Sequence, residues 1–245
     1  MPKYVYSYFP VKALGEGVRL LLAYGNEDWE DRRVKPEDWP KFKNDTPFGQ
    51  MPVLEFDGKK YSQSIPLARY LGRKHKLAGN TLEEDLEIEM NVEFVNDIRA
   101  KAGAVHYESD AAVKERKFAE QSKEVFPGLM KRLEQLVKAN NGHIALGRLT
   151  WADFVFAGMI EYIQDMMRLP NLNDYPALTK LRDEVINIPQ VKFILNVKLC
   201  IPRTFISIWR RCQCHFTDYF GVGALFNSWL EALFCIFLVC KEKCD

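Results

Sequence analysis

A chain of 245 residues, 47% apolar and 27% charged, is long enough to bury one large core or two modest ones. Its formal net charge of +1 shows no basic or acidic excess, which argues against nucleic acid or an anionic membrane surface as a partner. The opening segment, Met1 to Pro10, alternates like a strand and lacks the continuous apolar run of a signal peptide, so a cytoplasmic location is expected.

Tyr4 to Phe9 reads as the first strand, and Glu16 to Tyr24 as a helix with Val18, Leu21 and Leu22 on one face and Gly25 just past its end. Pro52 to Phe56 and Lys60 to Ser62 read as two short strands joined by the hairpin signal Asp57-Gly58. Ser64 stands where an N-cap belongs, with a helix from Ile65 to His75 behind it. Leu77 to Thr81 then breaks the periodicity and reads as an interdomain linker. From Thr81 to about Lys192 the pattern is helical, with Leu86, Met90, Phe94 and Ile98 recurring at helical spacing, as do Phe126, Met130, Leu133 and Val137. Thr150-Trp-Ala-Asp153 has the form of a capping box opening an apolar helix from Phe154 to Met167. The expected organisation is a small α/β domain over residues 1–77, an all-helical domain over 81–192, and a distinct tail over 193–245.

All six cysteines (Cys200, Cys212, Cys214, Cys235, Cys240 and Cys244) lie in that tail, so no disulfide or thiolate zinc site is expected before it. Cys212, Cys214 and His215 form one short cluster without a spaced partner pair, a weak metal signal. Tyr219 to Cys240 carries eleven Leu, Ile, Phe and Val residues and one charge, Glu231. The apolar residues favour membrane insertion by roughly 3 to 7 kcal/mol, against a cost of about 2.5 to 3.5 for the acidic residue. A tail anchor, a helix packed on the domain, and an extension without fixed structure all remain open readings.

Three features could carry chemistry. Tyr8 ends the first strand beside a loop containing Pro10 and Gly15. Gln50-Met51-Pro52 puts a proline directly before a strand, where a cis Met51–Pro52 bond would turn the Met51 backbone toward a ligand rather than the sheet. Gln63-Ser64 opens a helix whose free N–H groups suit a carboxylate. Alone, each reads more simply as packing, a trans turn or a plain cap.

Taken in order, however, they resemble the thioredoxin-like N-terminal domain of glutathione transferases. From Tyr4 to about Lys192 the chain is similar to the sigma class, particularly insect members and the related glutathione-dependent prostaglandin D synthases. The resemblance is carried by Tyr8-Phe9, Glu37-Asp-Trp39-Pro, Pro47-Phe-Gly-Gln-Met-Pro-Val53, Gln63-Ser64, Ala68-Arg-Tyr-Leu71, Leu77-Ala-Gly-Asn80 and Leu149-Thr-Trp-Ala-Asp153. It implies a thioredoxin-like domain followed by an all-α domain, with glutathione as co-substrate conjugated to hydrophobic electrophiles. Peroxidase activity on lipid hydroperoxides is an extension of the same chemistry.

The resemblance also implies roles. The Tyr8 hydroxyl donates to the glutathione sulfur. Trp39 and Lys43 face the glycyl carboxylate, Met51 pairs through its backbone with the cysteinyl unit beside Gln50, and Gln63 and Ser64 take the γ-glutamyl carboxylate. Asp97 reaches the γ-glutamyl amine in the partner subunit of a homodimer. Phe9 and Ile98 line the electrophile site, and Pro52, Thr150 and Asp153 are structural. Two departures narrow this. Leu14 stands where the vertebrate prostaglandin synthases have arginine, which puts prostaglandin isomerisation in doubt. Glu93, Asn96 and Asp97 are one carboxylate short of those enzymes' divalent-ion site, so no metal is predicted. Rival readings are a crystallin-like or ligand-storage protein on the same scaffold, a glutathione-dependent prostaglandin isomerase, and a membrane-tethered transferase.

Overall fold

The computed structural model describes residues 2–192; the expectations set on residues 193–245 lie outside the described residues. A four-stranded mixed sheet runs in the order β2-β1-β3-β4, with β1 at Tyr4–Tyr8, β2 at Trp29–Arg33, β3 at Val53–Phe56 and β4 at Lys59–Ser62. β1 pairs in parallel with β2, ending with Tyr8 against Arg33, and antiparallel with β3, where Ser7 meets Val53. A parallel pair needs a crossover, and α1 (Ala13–Tyr24) supplies it. α1 starts three residues before the expected Glu16, because Ala13 at φ 38° turns the chain into the helix and Gly15 N–H bonds Lys12 O at 3.0 Å. Val18, Leu21 and Leu22 are buried as expected.

Two elements lie outside the sequence expectation. β2 reads Trp-Glu-Asp-Arg-Arg and has no apolar alternation. Pairing with β1 makes it a strand, and ion pairs from Asp31 to Arg19 (3.1 Å) and Arg33 (2.9 Å) neutralise its charge. α2 (Trp39–Lys43) is a single short turn of helix after it. The hairpin between β3 and β4 is as expected, with Asp57 and Gly58 both at positive φ (49° and 71°), the condition of a two-residue type I′ turn. At α3 (Ser64–Lys74) the expectation shifts by one residue: Gln63, not Ser64, is the N-cap, at φ 76° and ψ 121°. Its side chain does not cap the helix but donates to Gln50 Oε1 at 3.0 Å.

The segment Leu77–Thr81 connects α3 to α4 (Leu82–His106) and is pinned along its length. Trp151 N–H donates to Leu77 O, Arg148 to Ala78 O, Gly79 N–H to Asp85 and Asn80 N–H to Glu84, while Thr81 Oγ1 caps α4 by accepting from Glu84 N–H. α5 (Ala111–Gln121), α6 (Val125–Ala139), α7 (Trp151–Met166) and α8 (Pro176–Asn187) complete the helical part. On α6 the stripe Phe126, Met130, Leu133 and Val137 is buried as its spacing requires. On α4 the stripe divides. Ile98 is buried and Phe94 partly so, but Leu86 and Met90 are exposed at 68% and 60%; the face turned to the core is Ile88, Val92, Val95, Ile98, Ala102 and Val105.

α7 is the axis of the molecule. Ten consecutive residues, Trp151 to Ile160, are buried, and the helix packs on α1, α3, α4 and α8. A helix apolar on every side belongs at the centre of a core, where each large side chain contributes about 1.5–3 kcal/mol. Where α7 crosses α1, a Cβ added to Gly158 would lie 2.4 Å from Gly17 N, so the two backbones touch and sheet and helices fall in one compact unit. Among the described residues no helix is long and apolar enough to cross a membrane, and no group of three His, Cys, Asp or Glu residues is placed to hold a metal ion.

The capping box at Thr150 closes as its sequence requires, and reaches further than the helix it opens. Asp153, fully buried, accepts from Thr150 N–H at 2.7 Å through Oδ2 and from Ile144 N–H at 2.8 Å through Oδ1, tying the preceding loop to α7. Asp153→Ala leaves both buried donors unpaired, at about 1–3 kcal/mol each. Urea unfolding is expected to show a loss of about 3 kcal/mol at unchanged m-value; a loss below about 0.5 kcal/mol would mean water replaces the carboxylate at no cost.

Candidate active site

Tyr8 is the last residue of β1, 7% exposed, at the end of the sheet where α1 begins. The start of α1 closes on its ring so tightly that a Cβ on Gly15 would lie 2.2 Å from Tyr8 Cδ1, which is why only glycine fits there. Burial pushes the Tyr8 phenol above its ordinary pKa; the Arg19 guanidinium and the Leu14 backbone pull it back without cancelling that rise. Tyr8 therefore keeps its proton at neutral pH and remains an O–H donor. That is the state a thiolate partner requires.

Around Tyr8 runs a chain of aromatic contacts. Phe9 meets it edge-on at 5.8 Å between centroids, and Trp39, the first residue of α2, meets Phe9 at 5.4 Å. Lys43 ends the same short helix and is exposed. The Met51–Pro52 bond is cis, as the proline before β3 suggested. Pairing of β3 with both neighbours starts at Val53, so the sheet ladder does not claim the Met51 backbone. Pro52 is buried and accepts through its carbonyl from Ser62 Oγ at 3.0 Å. Gln50 and Gln63 are bonded to each other through their side chains, beside Ser64 at the first turn of α3. That turn carries no acidic residue and no side-chain cap, which leaves its partial positive charge for an anion.

The helical part supplies residues that sequence reading missed. Arg99 and Tyr107, on α4 and its C-cap, both act on Tyr8, Arg99 lowering and Tyr107 raising its pKa. Tyr107 shares a hydrogen bond of 2.5 Å with Tyr162 of α7, and burial together with that bond pushes Tyr162 above its ordinary range. Lys12, in the loop after Tyr8, pairs with Glu161 beside Tyr162. No local pattern links positions 99, 107 and 162; only the packing of α4 on α7 brings them together. Ile98, by contrast, is fully buried in the helical core, one residue from Arg99. Asp97 is exposed on α4, while its neighbours are engaged along the helix, Asn96 with Glu93 at 3.3 Å and Arg99 with Asn96 at 3.0 Å.

Residues 1–73 match the family described as glutathione S-transferase, N-terminal domain, and residues 96–196 match glutathione S-transferase, C-terminal domain. Glutathione S-transferase 2 of Manduca sexta is 53% identical over 197 residues, covering 80% of this chain and 97% of that protein. Human hematopoietic prostaglandin D synthase is 33% identical over 195 residues, covering 78% and 94%. The solved structure of prostaglandin synthase D of Nilaparvata lugens superimposes with a TM-score of 0.76 at 36% identity, covering 82% of this chain and 100% of that one. With family models matching both parts of the chain and these relatives matched over nearly their whole length, the chain belongs to the glutathione S-transferase family, within its sigma-like group.

Proposed function

We propose that Tyr8 is the catalytic residue of this transferase, its hydroxyl donating to the glutathione sulfur and holding it as thiolate. The observation that carries this reading is a buried phenol that keeps its proton at the end of β1, in a domain that also has an uncapped α3 and a Met51 backbone outside the sheet ladder. A free thiol has a pKa of roughly 8.5, so about 3% is thiolate near neutrality. Lowering it by about two units makes the nucleophile the majority species, worth roughly 2.7 kcal/mol. A neutral O–H favours the charged sulfur over the thiol, and that difference is the source of the shift.

In the same reading Trp39 and Lys43 take the glycyl carboxylate, Met51 pairs with the cysteinyl unit next to Gln50, and Gln63 and Ser64 receive the γ-glutamyl carboxylate at α3. The electrophile lies against Phe9 and the α4–α7 side, where Arg99, Tyr107 and Tyr162 add polar contacts to an apolar wall that Ile98 backs from the core. Such a wall suits an electrophile with a carbonyl or nitro group on an apolar body. Attack is direct: the S–C bond forms, and from a chlorodinitrobenzene the chloride leaves with the bonding pair. Peroxidase action on lipid hydroperoxides uses the same thiolate. A cytoplasmic location fits this chemistry, which draws on a pool of reduced glutathione. Conjugation is preferred over prostaglandin isomerisation because position 14 is leucine.

Tyr8→Phe is expected to lower kcat/KM for a chlorodinitrobenzene about ten- to a hundredfold near neutral pH, the value of a hydrogen bond to a charged group. Glutathione should still bind within about twofold, because its carboxylate contacts are untouched. Equal turnover by the mutant would remove Tyr8 from the mechanism. Failure of the wild-type protein to be retained on immobilised glutathione would favour a storage role instead.

The functional unit in this reading is a homodimer. Leu82, Leu86 and Met90, exposed at 82%, 68% and 60%, form one face of α4, and Phe48 is exposed at 68%. Asp97, seven residues beyond Met90, falls on the same face, so pairing through this stripe carries it toward the other subunit's glutathione. Leu86→Lys with Met90→Lys is expected to convert the protein from dimer to monomer in sedimentation velocity. It should also weaken glutathione binding severalfold; a monomeric wild type would end the proposal.

A further inference from the structure

Arg19 lies in the middle of α1 and is 4% exposed. A buried guanidinium must have its charge and its N–H groups answered. Nη1 pairs with Glu16 at 3.0 Å and Nε with Asp31 at 3.1 Å. The rest of the fork serves the loop after β1: Nη1 donates to Val11 O at 2.8 Å and Nη2 to Phe9 O at 3.2 Å. The guanidinium carbon also lies 5.6 Å from the centroid of the Tyr8 ring and 5.8 Å from that of Tyr6. One side chain thus contacts the phenol, the carbonyl of the residue that follows it, and the loop that borders the electrophile side.

We infer that Arg19 is a positioning residue for the transferase reaction: it locks the Tyr8 ring and the Phe9–Val11 loop in place and sets a positive charge against the phenol that donates to sulfur. The inference rests on the reading of Tyr8 given above. Three observations favour this role over simple neutralisation of buried carboxylates. Asp31 already has Arg33 at 2.9 Å. Two of the N–H bonds go to carbonyls of the active-site loop, which a core ion pair does not require. Among the influences that lower the Tyr8 pKa, Arg19 is the largest. A cation against the ring face withdraws negative charge from the phenol and makes its O–H a stronger donor.

The groups acting on this pair come from every surrounding element. They are Tyr6 on β1, Glu16 on α1, Asp31 on β2, Arg99 and Tyr107 from α4, and Tyr162 from α7. Removing Arg19 alone leaves Glu16 buried and unpaired, so the informative variant changes both, Glu16→Gln with Arg19→Gln, while Asp31 keeps Arg33.

The test is the pKa of enzyme-bound glutathione, read from the ultraviolet absorbance of its thiolate, with the pH profile of kcat/KM for a chlorodinitrobenzene. In the double variant the bound thiol pKa should rise by about half a unit or more, and the acid limb of the profile should move with it. Glutathione affinity should stay within about twofold, and Glu16→Gln alone should leave the thiol pKa unchanged. Added to Tyr8→Phe, the same double change should shift the thiol pKa no further, since the phenol through which Arg19 acts is gone. An unchanged thiol pKa with only a lowered melting temperature makes Arg19 purely structural and overturns the inference. So does an equal shift without Tyr8, which puts the action directly on sulfur. If Tyr8→Phe by itself leaves the thiol pKa at the wild-type value, the Tyr8 reading fails first, and that is visible before any Arg19 variant is measured.

Discussion

Everything in this molecule hangs on the crossing of α1 and α7. At Gly17 and Gly158 two helix backbones come so close that a Cβ on Gly158 would lie 2.4 Å from Gly17 N and one on Gly17 3.1 Å from Val155 Cα. α1 is the crossover that makes β1 and β2 parallel, and α7 is the buried axis of the helical part. Their contact therefore fixes the end of β1 relative to α4 and α7. It also brings Tyr8 within electrostatic reach of Arg99, Tyr107 and Tyr162. Several independent interactions repeat the constraint. Trp151 N–H is bonded to Leu77 O, Lys12 is paired with Glu161, and Arg148 reaches Ala78 O. A site assembled from two halves needs such redundancy, because an error of about 1 Å in placing the reacting groups costs about a hundredfold in rate.

The sequence made some of this legible and hid the rest for physical reasons. β1, the β3–β4 hairpin and the capping box were readable because strand alternation, Asp57-Gly58 and Thr150–Asp153 act over a few residues. β2 was not, because its strand state comes from pairing with β1 and from charge neutralisation by Arg19 of α1. The glutathione side of the candidate site was visible for the same local reason: Tyr8, Met51-Pro52 and Gln63-Ser64 each sit at an element boundary. On the electrophile side Arg99, Tyr107 and Tyr162 have no spacing in common. One clue was available for Arg19. A cation inside the apolar run from Val18 to Ala23 must either point outward or be answered within, and here it is answered within.

The α4 stripe teaches a related lesson about periodicity. Leu86 and Met90 recur at helical spacing, yet they face outward, and the core takes Ile88, Val92, Val95 and Ile98 instead. A 25-residue helix has room for two apolar faces, and spacing reports that a face exists without saying what covers it. Asp97 belongs to the outward face, about two helical turns beyond Met90. The exposed stripe and the isolated carboxylate are thus parts of one surface rather than two unrelated anomalies.

Opposing effects at Tyr8 explain why both burial and a nearby cation are present. A hydrogen-bond donor strengthens as it becomes more acidic, but a phenol acidic enough to ionise has no proton left to give. Burial raises the Tyr8 pKa and so keeps the proton on oxygen, while Arg19 lowers it and sharpens the donor. In the proposed reaction the thiol, the more acidic partner, carries the charge, and the proton stays on the phenol. Arg19 exerts this effect without leaving an uncompensated charge in the core, since it is paired with Glu16 and Asp31 and Arg33 balances Asp31. The two cations and two carboxylates leave the cluster close to neutral as a whole, with the Arg19 guanidinium 5.6 Å from the centroid of the Tyr8 ring.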